Sequence, residues 1–143
     1  MTGSNAIVYT DYLSITTSAR YEIRDITDHV ERVRAAADLN DGYVLVSTMH
    51  ITSSVFVNDH ESGLWSDIMA WVEKLAPSGL DYDHHRTGED NGDAHLKRML
   101  LGHQVIVPVT AGALDLGPWE RVHYGEFDGL RAKRVLFKAM GIR

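Results

Sequence analysis

The strands of this chain come in runs, with helices between only some of them, and that order rules out a regularly alternating βαβα fold. Residues 6–15 (AIVYTDYLSI) carry the β-branched and aromatic side chains of a first strand. Arg20–Asp25 alternates, with Tyr21 and Ile23 on one side and Glu22 and Arg24 on the other, and is expected to pair with the first strand as a hairpin. Thr27 or Asp28 can cap a helix with Val30, Val33 and Ala37 on its apolar side, for which Gly42 is the stop signal. Tyr43–Met49 reads as a central strand that delivers His50, and Ser53–Asn58 as another. Leu64, Ile68, Val72 and Leu75 recur at helical spacing over Gly63–Ala76, before Pro77. Trp65, Met69 and Trp71 widen that surface as core or subunit-interface residues. Ala94–Leu101 is expected as a short helix with Asp93 as its N-cap. Strands then follow at Gln104–Val109, Ala113–Leu116, Glu120–Tyr124 and Lys133–Ala139, with a turn at Ala111–Gly112. The pattern predicts an α+β fold with a largely antiparallel sheet, formed by residues 1–143 as a single domain.

Composition narrows the chemistry. The chain has no cysteine, so disulfides, thiolate metal sites and thiol nucleophiles are excluded. Any metal must be held by imidazole and oxygen. A net charge of −6 argues against a nucleic-acid partner, which needs a basic footprint. No stretch approaches the roughly 18 apolar residues of a membrane helix. The opening MTGSNAIVYT lacks the basic start and apolar run of a secretory signal, so a cytoplasmic location away from membranes is expected.

The polar stretch Asp81–His95 (DYDHHRTGEDNGDAH) holds three of the eight histidines and almost no aliphatic side chain. It reads as a solvated connection or as one wall of a site. His50 ends a strand, His84 lies in the stretch and His95 opens a helix, so three directions of approach can bring three imidazoles together. Such a set suits zinc or another late first-row ion with one position open; the alternative is that these histidines are a satisfied strand end and solvent-facing groups.

The segment GEFDGLR supplies a second set, Glu126, Asp128 and Arg131. A carboxylate there can act as base or metal ligand, beside a guanidinium suited to phosphate. Asp128-Gly129 also reads as a plain hairpin turn. Lys97 and Arg86 can add positive charge. Gly117-Pro118-Trp119 reads as a rigid turn with a packed indole. Phosphate-cradling glycine-rich motifs and nucleophile elbows are absent from the sequence.

Taken in order, His50-Ile51-Thr52, Asn58-Asp59-His60-Glu61, Tyr82-Asp83-His84, Asn91 through Leu96, Pro108 through Trp119, and Glu126 through Arg131 resemble the YjbQ family of secondary thiamine-phosphate synthase-like proteins. The resemblance covers nearly the whole chain. It implies an α+β domain that assembles as a homotrimer, with a site near subunit contacts. It also implies a divalent metal, zinc foremost, with magnesium as the choice for a diphosphate substrate. The implied activity is a weak joining of a hydroxymethylpyrimidine diphosphate to a thiazole phosphate. In that picture His50, His84 and His95 hold the metal, and Glu126, Asp128 and Arg131 are catalytic. Thr52, Asn58, Asn91, Lys97 and Trp119 contact the small phosphorylated substrate. The alternatives are a metal-dependent hydrolase of a phosphorylated or ester substrate and a trimeric, non-catalytic binding protein. Ile51, His85, Glu120 and Leu130 depart from the family's usual Thr, Asn, Gln and Pro, and His85 is expected to face solvent.

Overall fold

The computed structural model describes residues 5–143. Two antiparallel sheets carry the chain. The larger is ordered β1 (Ala6–Ile15), β8 (Lys133–Ile142), β3 (Asp41–Thr48), β5 (Gln104–Thr110), β6 (Ala113–Leu114); the smaller is β2 (Glu22–Asp25), β7 (Arg121–Glu126), β4 (Ser53–Asn58). Helices α1 (Thr27–Ala37), α2 (Ser62–Leu75) and α3 (Gly92–Leu101) and a single 3-10 turn at Asp83–Thr87 complete the order. None of the described helices is long and apolar enough to cross a membrane.

One apolar core joins both sheets to α1. Val44, Val46, Val107, Val135 and Phe137 come from the large sheet, Val55, Val122 and Tyr124 from the small one, and Val30 and Val33 from α1. Each strand supplies alternate residues, as a sheet with one buried face requires. A satellite cluster of Val72, Ala94 and Phe127 fastens α2 and α3 to the end of β7.

Several expectations change here. The first two strands do not form a hairpin: β1 pairs along all ten residues with β8, while β2 pairs with β7 in the other sheet. Register explains this, because the two long terminal strands match each other over their full length and β2 is only four residues long. Asp128-Gly129 is likewise no hairpin turn, since β7 and β8 lie in different sheets and the segment between them crosses over. Leu130 in that crossover has φ 70, which a proline ring cannot adopt.

Helix α1 stops at Asp38, which takes the left-handed conformation, rather than at Gly42. Its N-cap position is Ile26, and Asp25 instead accepts from the Thr27 N–H and hydroxyl. Asp93 lies inside α3 and is buried, with Asn91 at the cap position. Trp119 is 73% exposed, so its indole is not packed.

Gly42 is thereby free for a different task. It faces Gly141 across β3 and β8, and both have φ near +150, at 146 and 152. A Cβ at Gly141 would lie 2.1 Å from the Asp41 carbonyl oxygen, and one at Gly42 the same distance from that of Met140. The two strands approach this closely only because neither residue has a side chain. Gly141→Ala is expected to cost at least about 1–3 kcal/mol from the backbone conformation alone, read as a lowered midpoint in urea unfolding.

Candidate functional site

Beside the smaller sheet, three connections and the first turn of α3 converge on a cavity of about 340 Å³. The β3–β4 connection contributes His50, Ile51 and Thr52; the 3-10 turn contributes His84 and Thr87. Glu89 and Asn91 come from the segment before α3, His95 from its first turn, and Arg131 from the β7–β8 crossover. The polar stretch is therefore one wall of the cavity, as one of its two sequence readings required. Residues 50–52 and Arg131 line the rest of it.

The rings of His84 and His95 lie 4.4 Å apart, centroid to centroid, in an edge-on arrangement. Asn91, in the same wall, is 5% exposed. Its Nδ2 donates to Asp128 Oδ2 at 2.8 Å, which fixes the orientation of the amide because a carboxylate accepts and does not donate. Asn91 Oδ1 is then a buried acceptor without a hydrogen-bond partner among the described residues, in a side chain that lines the cavity. A buried, unpaired amide oxygen costs stability unless a ligand supplies a donor or a cation.

Arg131 donates to Asp128 Oδ2 at 2.8 Å, so this carboxylate anchors both Asn91 and Arg131. Its other oxygen lies 3.8 Å from Arg20. Glu126 is fully buried, paired with the Lys133 ammonium and accepting the Tyr124 hydroxyl at 2.7 Å. Both carboxylates expected as catalytic groups are thus engaged in holding other residues.

The other placements divide sharply. His50, Thr52, Asn91, His84, His95 and Arg131 come together as expected. Lys97 does not reach the cavity: it is 1% exposed and gives its hydrogens to Glu73, Ala76 and Asp93 at 2.9, 2.9 and 2.6 Å. Asn58 ends β4 in solvent and Trp119 projects from the β6–β7 connection; neither lines the cavity. His85 is not solvent-facing in function, since its Nε2 accepts the Gly92 N–H at 3.0 Å and satisfies an orphan donor at the start of α3. Arg86 pairs with Asp81 instead of the site.

The three predicted ligands do not close around one point. The set of metal-type side chains whose ligand atoms all lie within 4.8 Å of one another, among the described residues, is Asp25, His60 and His123. Two imidazoles, His84 and His95, with the Asn91 amide oxygen remain as a donor set whose chemistry fits a divalent ion.

Lys133 was missed as a site residue, although a signal existed. Strand alternation puts Lys133 on the same inward face as Val135, Phe137 and Ala139. An inward lysine at a strand start needs acceptors, and Glu126 is one of them. Thr87 and Glu89 carry no comparable signal.

Burial holds the pKa of His50 below the usual imidazole value, helped by the positive charges of Lys133 and Arg131. Burial also lowers that of His95, with His84 beside it, and that of His123. All three rings therefore favour the neutral form that ligation and hydrogen-bond acceptance require.

The arrangement is thus α+β, with two antiparallel sheets and a cavity lined by three histidines. The sequence model of the UPF0047, YjbQ-like family matches residues 11–142, and the chain belongs to that family. It is 48% identical over 128 residues to a UPF0047 protein of Archaeoglobus fulgidus, covering 90% of this chain and 98% of that one. A UPF0047 protein of Methanothermobacter thermautotrophicus is 38% identical, with 94% and 93% covered. Among solved structures, a YbjQ-like protein of unknown function from Sulfolobus solfataricus superposes with a TM-score of 0.90 at 30% identity, over 95% of this chain and 99% of that one.

The lowered histidines set a pH dependence. As pH falls through about 6.5 the unfolded chain takes up protons before the folded one, so stability present above that value is lost below it. Thermal melting is expected at lower temperature at about pH 5.5 than at about pH 7.5, with a shallower dependence in His123→Gln. An identical slope in wild type and variant would remove His123 as a contributor.

Proposed function

We propose that the cavity binds a small phosphorylated molecule together with a divalent metal, zinc foremost, in a thiamine-phosphate synthase-like transfer carried out in the cytoplasm. The observation that carries this reading is the pairing of His84 and His95 in one cavity with Arg131 and with the buried Asn91 oxygen, which has no partner among the described residues. His84 and His95, with Asn91 Oδ1, would hold the metal. When bound it supplies positive charge against phosphoryl oxygens. Arg131, steadied by Asp128, stabilises negative charge on a departing diphosphate, a mainly electrostatic task.

In that reaction a lone pair on the thiazole ring nitrogen forms a C–N bond to the pyrimidine methylene carbon. The C–O bond to diphosphate breaks, and the electron pair leaves with diphosphate. No proton has to be removed from the nucleophile. Hydrolysis would need water activated by the metal or by a base, and Glu126 and Asp128 are both engaged; transfer needs neither kind of activation. Glu89, exposed at the cavity edge, is the carboxylate left to serve a hydrolase.

At about 340 Å³ the cavity is at the lower end of ligand sites. Holding two phosphorylated substrates calls for a further wall, and we place it on a neighbouring copy within a homotrimer. Leu96, Met99 and Leu100 support this, being exposed apolar residues on the helix that carries His95. Light scattering after gel filtration is expected to give three times the chain mass; a monomer would leave the cavity as it stands in one chain.

Protein purified without a histidine tag is expected to retain metal, and His84→Ala or His95→Ala to lose it, as read by elemental analysis. Unchanged metal content in both variants would sink the metal assignment. With the two thiamine precursors, Arg131→Ala is expected to slow product formation by about 10²–10³, and Glu89→Gln to leave it close to wild type. Equal rates in wild type and Arg131→Ala would point to a contaminant, and turnover without the metal ligands to a different chemistry.

A further inference from the structure

The metal reading leaves His50 unassigned, and its hydrogen bonds decide what it can do. Lys133 is a buried ammonium with three hydrogens and three acceptors: a Glu126 carboxylate oxygen, the Asp128 carbonyl oxygen at 2.7 Å, and Thr52 Oγ1 at 3.0 Å. An ammonium only donates, so Thr52 Oγ1 must accept from it. The Thr52 hydroxyl hydrogen is then free for its other neighbour, His50 Nδ1, at 2.8 Å. Independently, the Thr52 backbone N–H points at the same nitrogen at 3.3 Å, and a backbone N–H also only donates. Both contacts require a lone pair on Nδ1.

A neutral imidazole that accepts at Nδ1 carries its proton at Nε2. A metal-ligating imidazole would need the reverse arrangement here, with Nε2 unprotonated and Nδ1–H donating outward. No acceptor for Nδ1–H is in place: one neighbour is an N–H, and the other is a hydroxyl whose hydrogen has no other assigned partner among the described residues. Thr52 is fully buried and Lys133 nearly so, so water does not scramble these roles.

We infer that the Lys133–Thr52 pair locks His50 as an Nε2–H donor, which binds an anionic oxygen of the cavity's ligand, next to Arg131 and apart from the metal-ligand set. In this arrangement His50 touches the ligand. Thr52 and Lys133 are positioning residues, and Glu126 anchors Lys133 rather than acting as a base. The anion's identity rests on the phosphoryl reading above; the locked tautomer does not.

The test keeps these apart. Long-range proton–nitrogen correlation spectra of the full-length protein, labelled with nitrogen-15 and recorded above the histidine pKa range, report each tautomer directly. His50 is expected as Nε2–H. Thr52→Val, which keeps the backbone N–H and the side-chain volume, is expected to weaken that preference, and Thr52→Ser to restore it. Titration with zinc is expected to move the ring nitrogens of His84 and His95 while His50 keeps its Nε2–H signal. Inorganic pyrophosphate is expected to shift His50 Nε2–H, with affinity falling roughly tenfold to a hundredfold in His50→Ala and largely recovered in His50→Gln, whose amide also donates. An Nδ1–H tautomer, or loss of the His50 Nε2–H signal on zinc binding, overturns the inference even if pyrophosphate binds. A locked Nε2–H with no pyrophosphate binding overturns the phosphoryl reading and upholds the lock.

Discussion

A single buried ammonium ties the two halves of this protein together. Lys133 begins β8 in the large sheet, Glu126 ends β7 in the small one, and Thr52 belongs to the connection that leads from the large sheet into the small one. Placing two full charges in a core of valine and phenylalanine is costly unless each is satisfied. Here the ammonium has three acceptors, and Glu126 takes up the Tyr124 hydroxyl as well. The same contacts that stitch the sheets also set the orientation of Thr52, and through it the His50 ring at the cavity. Fold and site therefore share one set of hydrogen bonds. A change at Lys133 cannot be a site change alone, which is why Thr52 is the more informative position to vary.

A second buried pair shows the opposite outcome. Lys97 and Asp93 sit one helical turn apart in α3, both almost fully buried, with Tyr21 donating to Asp93 at 2.7 Å. By motif position Lys97 looked like a phosphate contact. Its three hydrogens are taken by Glu73, Ala76 and Asp93, so it clamps α3 to α2 and has nothing left for a ligand. Counting donors against acceptors separates the two lysines better than proximity to a motif does.

Much of the secondary structure was legible because side-chain alternation and helical spacing are local. Ser53–Asn58 is a strand at those bounds, and α2 is displaced by one residue. Pairing was not legible. Nothing near β1 announces that its partner lies at the far end of the chain, and the hairpin expectation failed for that reason. The site was legible where residue type and direction coincide, as with His50 at a strand end and His95 in a first turn. Asn58 and Trp119 do not line this cavity: their neighbours in sequence belong to the family pattern, but their elements carry them away from it. His85 differs again: a polar residue in a polar stretch turned out to cap a helix, a role set by the chain's path rather than by composition.

Proximity of ligand-type atoms is itself a poor guide to a metal site in this fold. Asp25, His60 and His123 meet the distance criterion that the cavity histidines do not. Yet Asp25 Oδ2 already accepts from Arg121 Nε at 2.7 Å and lies 2.7 Å from His60 Nδ1. The guanidinium puts a fixed positive charge where a cation would have to sit. His123 Nε2 faces the Trp65 indole N–H, which can only donate, so its lone pair is also engaged. That cluster holds the β2–β7–β4 sheet to the start of α2, and its open valence among the described residues, the buried His123 Nδ1, carries the ring hydrogen when Nε2 accepts and so offers a cation no lone pair. His84 and His95 differ: their rings lie 4.4 Å apart, and the Asn91 oxygen that lines the same cavity is a buried acceptor with no donor among the described residues. An open acceptor, rather than short distance, is what favours the cavity over this cluster in the proposed metal reading.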